Sequence, residues 1–189
     1  MRHVSELQLL DAALDRALAI TGQTLGNVQL VDWNAGSMEI VAQRGFAQDF
    51  LECFHRVSIK AGSACGRALL LRDTIVIHDV TTDPQFSPFR DIAERSGFRA
   101  VQSTPLVSSG DALLGIISTH GSRSPTQDQL AQVKTLARTT ADELVRLRAH
   151  LSKQKRTVDE LSRHWQVAAM SYIAALSVLP LTCATLVGA

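Results

Sequence analysis

Gly97-Phe-Arg-Ala-Val-Gln-Ser-Thr-Pro-Leu-Val-Ser-Ser-Gly-Asp-Ala-Leu-Leu-Gly-Ile-Ile-Ser-Thr-His120 is the stretch that decides the fold. Two apolar runs with β-branched content flank Ser108-Ser-Gly-Asp111, a cluster of turn formers in which glycine can supply a positive φ, so the stretch predicts a β-hairpin. Strand side chains alternate between faces, which puts Ala100, Gln102, Thr104 and Leu106 on one side of the first arm and Val101, Ser103, Pro105 and Val107 on the other. Neither set is wholly polar. A strand wetted on one side alternates cleanly, whereas this mixture predicts the middle of a sheet covered twice, by helices on one face and by loops enclosing a small polar-lined space on the other. Such a space suits binding more than chemistry.

The 189 residues are 46% hydrophobic and 20% charged with a formal net charge of +1, which fits one globular domain with an appendage. Near-neutral charge gives no field to gather nucleic acid, and no helix-turn-helix or basic stripe is present in the sequence, so nucleic-acid partners are not expected. Cys53, Cys65 and Cys183 are odd in number and widely spaced, without a Cys-x-x-Cys pair to hold zinc or run dithiol exchange. Free thiols in a reducing compartment are the expectation, and Met1-Arg-His-Val-Ser-Glu6 lacks the layout of a signal peptide.

Outward from the hairpin toward the N-terminus, Leu7, Leu10, Leu14, Ala17 and Leu18 predict an amphipathic helix over residues 5–21, stopped at Gly22. Residues 27–33 and 38–43 read as two strands joined by Asn34-Ala-Gly-Ser37, a second hairpin. Phe46, Phe50, Phe54 and Val57 follow at helical spacing, an aromatic face that packs over the sheet edge, with His55 beside it. Residues 60–71 begin as a small-residue turn and continue as a short helix, and residues 73–79 read as a strand. Pro84 breaks the next segment, Ser87-Pro88 opens a helix to Ser96, and Gly97 ends it.

Toward the C-terminus a long helix begins at Thr126 or Gln127. Leu130, Val133, Ala137, Thr140, Leu144, Leu147, Leu151, Gln154, Val158 and Leu161 alternate three and four apart, the seam of a parallel coiled-coil dimer that Thr140 and Gln154 weaken. A single amphipathic helix with a charged, frayed end gives the same pattern. The dimer seam is expected over Leu144, Leu147, Leu151, Gln154, Val158 and Leu161. From Trp165 to Ala189 no charged residue occurs. A helix rising about 1.5 Å per residue over that length reaches across the roughly 30 Å core of a bilayer, with Lys153, Lys155, Arg156 and Arg163 on the near side. Pro180 and the interspersed Ser, Thr and Gln residues oppose insertion, so a tail anchor, a helix folded back on the seam and a tail unrelated to the domain all stay open.

The order of elements, together with Gly62-Ser-Ala-Cys-Gly-Arg-Ala68, Val76-Ile-His-Asp-Val80 with Asp83-Pro-Gln-Phe86, Arg99-Ala-Val-Gln-Ser-Thr-Pro-Leu106 and Leu114-Gly-Ile-Ile-Ser-Thr-His120, resembles a GAF domain over about residues 7–148. The strings are most similar to GAF domains attached to bacterial sensor histidine kinases and other signal-transduction proteins. The resemblance implies an α+β, PAS-like fold: an antiparallel sheet of five or six strands, N- and C-terminal helices on one face, a loop-covered ligand pocket on the other, and a long C-terminal helix beyond. Residues 1–148 then form a sensory domain, 149–163 a signalling helix and 164–189 an uncharged tail.

The same resemblance limits the chemistry. No counterpart of the Asn-Lys-x-Phe-Asp-Glu signature of cyclic-nucleotide-binding members is present, and Cys65 is followed by glycine rather than the histidine usual at a bilin attachment site. Free methionine-(R)-sulfoxide reductases carry Gly-x-Cys-Gly-x-Ala; Ser63 stands where their first glycine would be, and their partner cysteines have no equivalents here. A sulfoxide-reducing thiolate needs a second thiol to regenerate it. Cys65 therefore reads foremost as a small buried residue beside the pocket, with oxidant sensing or ligand contact as the alternative.

The candidate ligand-binding residues are Cys65, His78, Asp79, Phe86, Arg90, Gln102, Thr104, Ser118 and His120. His78 and His120 sit at strand ends and lack the spacing of metal ligands; Asp79 suits bracing of its loop; Arg90, Gln102, Thr104 and Ser118 suit a polar or anionic ligand. No nucleophile–base pair, no metal site and no required cofactor is recognisable. The function expected is a non-catalytic cytoplasmic sensory or regulatory domain, homodimeric through its last helix and acting on an output kinase or other signalling partner, with membrane contact possible through Trp165 to Ala189. The alternatives are a cysteine-based redox enzyme or sensor using Cys65, and a truncated relative of a sensor kinase without output.

Overall fold

β1 (Leu25–Asp32) and β6 (Leu113–Gly121) form the centre of a six-stranded antiparallel sheet. On one side β1 pairs with β2 (Ser37–Arg44) and β2 with β3 (Arg56–Ser58); on the other β6 pairs with β5 (Ala100–Val107) and β5 with β4 (Ile75–Ile77). These positions come from a computed structural model, which describes residues 4–59 and 62–176. The strand order is β3-β2-β1-β6-β5-β4, and each edge strand is only three residues long. All of β5 except half-buried Val107 is buried, as its mixed faces predict for a sheet covered on both sides. Gly115 of β6 lies so close to the Gln29 carbonyl of β1 that a Cβ there would collide with backbone.

One face belongs to helices. α1 (Val4–Thr21) presents fully buried Leu10, Leu14 and Ala17, and the first part of α5 (Gln127–Leu176) presents Val133, Ala137, Ala141 and Leu144. They close over Val28, Leu30, Leu106 and Ile117 of the sheet. The start of α5 is fixed by a reciprocal capping box: the Thr126 hydroxyl accepts from the Gln129 amide at 3.3 Å, and Gln129 Oε1 accepts from the Thr126 amide at 2.8 Å.

The opposite face is covered by α2 (Gln48–Phe54), α3 (Ala64–Leu71), a 3₁₀ turn at Ser87–Phe89 and α4 (Arg90–Arg95). Phe46, Phe50, Phe54, Phe86 and Phe98 supply most of its bulk. Phe46 precedes α2 and Val57 falls in β3, so the aromatic spacing marks a shorter helix than it predicts. Other local differences have simple causes. Trp33 lies in the turn after β1 and is exposed. At the hairpin tip Asp111, not Gly110, takes the positive φ of 66°. Asp tolerates that conformation, and Arg72 holds its carboxylate and carbonyl at 2.5 and 2.9 Å.

The chain divides into two compact units after Leu147. Leu144 is fully buried in its own domain's core, which corrects its assignment to a helix-pairing seam: its side chain is already spent on the sheet. In the second unit residues 148–176 are helical; Leu151 is half-buried, and Gln154, Val158 and Leu161 are exposed. Among the described residues no helix is long and apolar enough to cross a membrane. Of the candidate tail anchor, Trp165 to Ala189, residues 165–176 are helical and residues 177–189 lie outside the described residues.

Candidate functional site

Polar side chains cross the sheet beneath the aromatic cover, which is where an apolar floor would pack best. Asn27 of β1 stands opposite Ser118 of β6, and Ser118 opposite Ser103 of β5. The two serine hydroxyls are 2.8 Å apart. His120 follows on the same face of β6, and Gln29 on β1 reaches up to the Phe54 carbonyl, its amide nitrogen donating at 3.4 Å. Above this floor, walled by Phe50, Phe54, Phe86 and Phe98 and by Ser63 and Cys65 at the start of α3, lies a cavity of about 20 Å³. That is room for about one water molecule.

His120 is enclosed by aromatic rings, its own ring meeting those of Phe98, Phe46 and Phe50 at steep angles with centroids 4.7, 5.0 and 6.0 Å away. Burial pushes its pKa down to about 3, so the imidazole is neutral at neutral pH. Its Nδ1 is buried without a hydrogen-bond partner, and so is Asn27 Oδ1. Of the three such side-chain atoms among the described residues, only the Ser96 hydroxyl lies away from this cavity. Buried polar groups are nearly always paired, so these two call for a partner, and the cavity between them has room for one of the size of a water molecule.

Cys65 sits 3.2 Å from the Ser63 hydroxyl, which also caps α3 by accepting from the Gly66 amide at 3.3 Å. Burial pushes the Cys65 thiol up, the Ser63 hydrogen bond notwithstanding. The thiolate is thereby disfavoured where redox chemistry would need it.

The structure brings Cys65, Phe86, Ser118 and His120 to this cavity and sends the other candidate residues elsewhere. Gln102 and Thr104 lie on the opposite face of β5: Gln102 Nε2 donates to Thr104 Oγ1 at 2.5 Å, and Thr119 Oγ1 donates to Gln102 Oε1 at 3.1 Å. The register that pairs Ser103 with Ser118 and Gln102 with Thr119 makes this unavoidable. His78 is exposed, its Nδ1 bonded to the Ser124 hydroxyl at 2.8 Å. Arg90 braces the loop before it, donating to the Val80 carbonyl at 3.2 Å and the Asp83 carbonyl at 3.0 Å.

Asp79 braces the same loop as expected of it. Its carboxylate takes Arg99 at 2.7 Å and the Thr81 amide and hydroxyl, bonds that hold its pKa well below the usual carboxylate range. Asp83 is desolvated, which opposes ionisation, but Arg67 at 2.8 Å and the Phe86 and Gln85 amides bring its pKa down on balance. Asp79, Asp83, Arg67, Arg90 and Arg99 are thus held by partners within the cover, and among the described residues no charged group lines the cavity. Asn27, Ser63 and Ser103 are site residues that the sequence reading passes over. Ser103 carried the one usable signal, since it shares a face with Val101 and not with Gln102.

No curated protein sequence is significantly similar to the chain. Among solved structures, a domain of a putative two-component sensor histidine kinase from Sinorhizobium meliloti is similar with a TM-score of 0.64 at 19% identity, covering 82% of this chain and 99% of that one. The GAF domain of a phosphoenolpyruvate-protein phosphotransferase from Coxiella burnetii gives 0.66 at 19% identity, over 78% and 86%. A free methionine-R-sulfoxide reductase from Neisseria meningitidis in complex with its substrate gives 0.59 at 18% identity, over 74% and 77%. At these identities the likeness is one of fold. The sequence profile of the GAF domain matches residues 3–144, up to the last helical residue buried on the sheet, and by that match the chain belongs to the GAF domain family.

Proposed function

We propose that this GAF domain is a non-catalytic sensory or regulatory module of the cytoplasm, in which a small molecule occupies the cavity over Asn27, Ser118 and His120. The observation that carries the reading is the pair of unmet groups, Asn27 Oδ1 and His120 Nδ1, on the same cavity. Leaving them unpaired destabilises the domain, and an occupant that pairs them stabilises whichever conformation holds it. Occupancy is passed on through the last helix of a homodimer, along Leu147, Leu151, Gln154, Val158 and Leu161, to a kinase or other signalling partner. The ligand biases that output only by binding one arrangement of the dimer more tightly than the other.

A native mass spectrum of the gently purified full chain tests both parts. A dimer carrying extra mass is expected, with the extra mass lost from Asn27→Leu. A bare monomer overturns the reading. The competing reading, a reductase acting through Cys65, draws on the fold shared with the reductases, but it needs a thiolate at a place where burial opposes one. Unchanged ligand retention by Cys65→Ser favours the sensor over the reductase.

A further inference from the structure

The chemistry of the cavity narrows what can fill it, given the sensory reading above, on which this inference rests. Its polar groups are an asparagine, a glutamine, three serines, a thiol and an imidazole, and among the described residues no ionic side chain lines it. Among the described residues the cations of the cover are committed: Arg67 to Asp83, Arg90 to two carbonyls, Arg95 to Asp49 and Arg99 to Asp79. A charged ligand entering between the phenylalanine rings would lose its hydration and meet no counter-charge, whereas a neutral one would lose little and satisfy Asn27 and His120. We propose that the cavity selects a compact, uncharged ligand bearing hydrogen-bonding groups and rejects anions and cations of the same shape.

Shape argues in the same direction. The floor is sheet and cannot retreat, so anything larger than water is admitted only by displacing the aromatic cover. α2, which contributes Phe50 and Phe54, has seven residues and begins at Ala47 without a side-chain cap. It is therefore among the less firmly anchored parts of that cover.

Acetamide, acetate and acetamidinium are near-isosteric and differ in charge, so they separate the effect of charge from that of size. Each is titrated into the full chain while the His120 imidazole is followed by NMR, its resonances identified by their loss in His120→Phe. Acetamide is expected to shift them saturably, with an apparent Kd about tenfold or more below that of either ion. The acetamide response is expected to vanish in Asn27→Leu, or in Asn27→Ala should the leucine variant not fold. An ion that matches acetamide overturns the neutral-ligand assignment and leaves the sensory reading standing. Silence from all three also overturns it, and the native mass spectrum, which uses no probe, then decides whether the domain binds anything.

Discussion

The two faces of the sheet solve the same packing problem with opposite tolerance for loose ends. Beneath α1 and α5 the polar side chains of β5 and β6 are closed into a chain, Thr119 to Gln102 to Thr104, with Thr74 joined at 2.9 Å. Beneath the phenylalanines, Asn27 and His120 end in atoms with no partner. Both faces are well buried, so exposure does not explain the difference. The polar groups of the helix face are paired within the chain; on the aromatic face two are not.

Four variants or conditions break or sharpen this contrast. The largest effect is expected from Leu106→Ala, which empties a fully buried site in the helix-face core and should cost about 2–5 kcal/mol by urea unfolding. A loss below about 1 kcal/mol would mean that this face is not the rigid one.

Acidification comes next, because His120 is neutral when folded and free to protonate when unfolded. Its folded pKa near 3 lies below the ordinary value of 6.5, so the unfolded chain binds the extra proton in between. Its contribution is therefore full above about pH 6.5 and lost as pH falls toward 3, at up to about 1.4 kcal/mol per unit. Asp83, whose folded pKa is also lowered, adds a loss that begins only near the carboxylate range. Stability measured from pH 7 to 4.5 should fall steeply in the native chain and much less in His120→Phe.

Replacing an amide by leucine on each face makes the comparison direct. Gln102→Leu strands Thr119 and should cost about 1–3 kcal/mol, read as a drop in the denaturation midpoint. Asn27→Leu removes a group that is already unpaired, and is expected to be neutral or to stabilise by up to about 1 kcal/mol in the same assay. Equal losses from the two would erase the distinction between the faces.

The sequence discloses the architecture better than the site. The alternation along residues 100–107 yields a sheet covered on both sides, and the leucine spacing of α1 and the aromatic spacing around α2 yield the two coverings. It does not yield which β5 face looks into the cavity, because that depends on how β5 registers against β6. The register in turn hangs on a tip where Asp111 takes the left-handed turn and pairing slips between Leu106 and Val107. Gln102 and Thr104 are misassigned for that reason, and Ser103 goes unseen. Leu144 shows a second limit: one helical repeat continues from the domain core into the exposed stretch, and periodicity alone cannot mark where one use ends.

The brevity of β3 and β4 has a consequence beyond the fold. An open sheet invites other chains to add strands along its unsatisfied edge, the usual route to fibrils and to unwanted pairing. Here each edge strand offers three residues, and β3 shows Arg56 and Ser58 to solvent. So short a template holds an incoming strand by few backbone bonds. Strands this short are a weak template for recruitment.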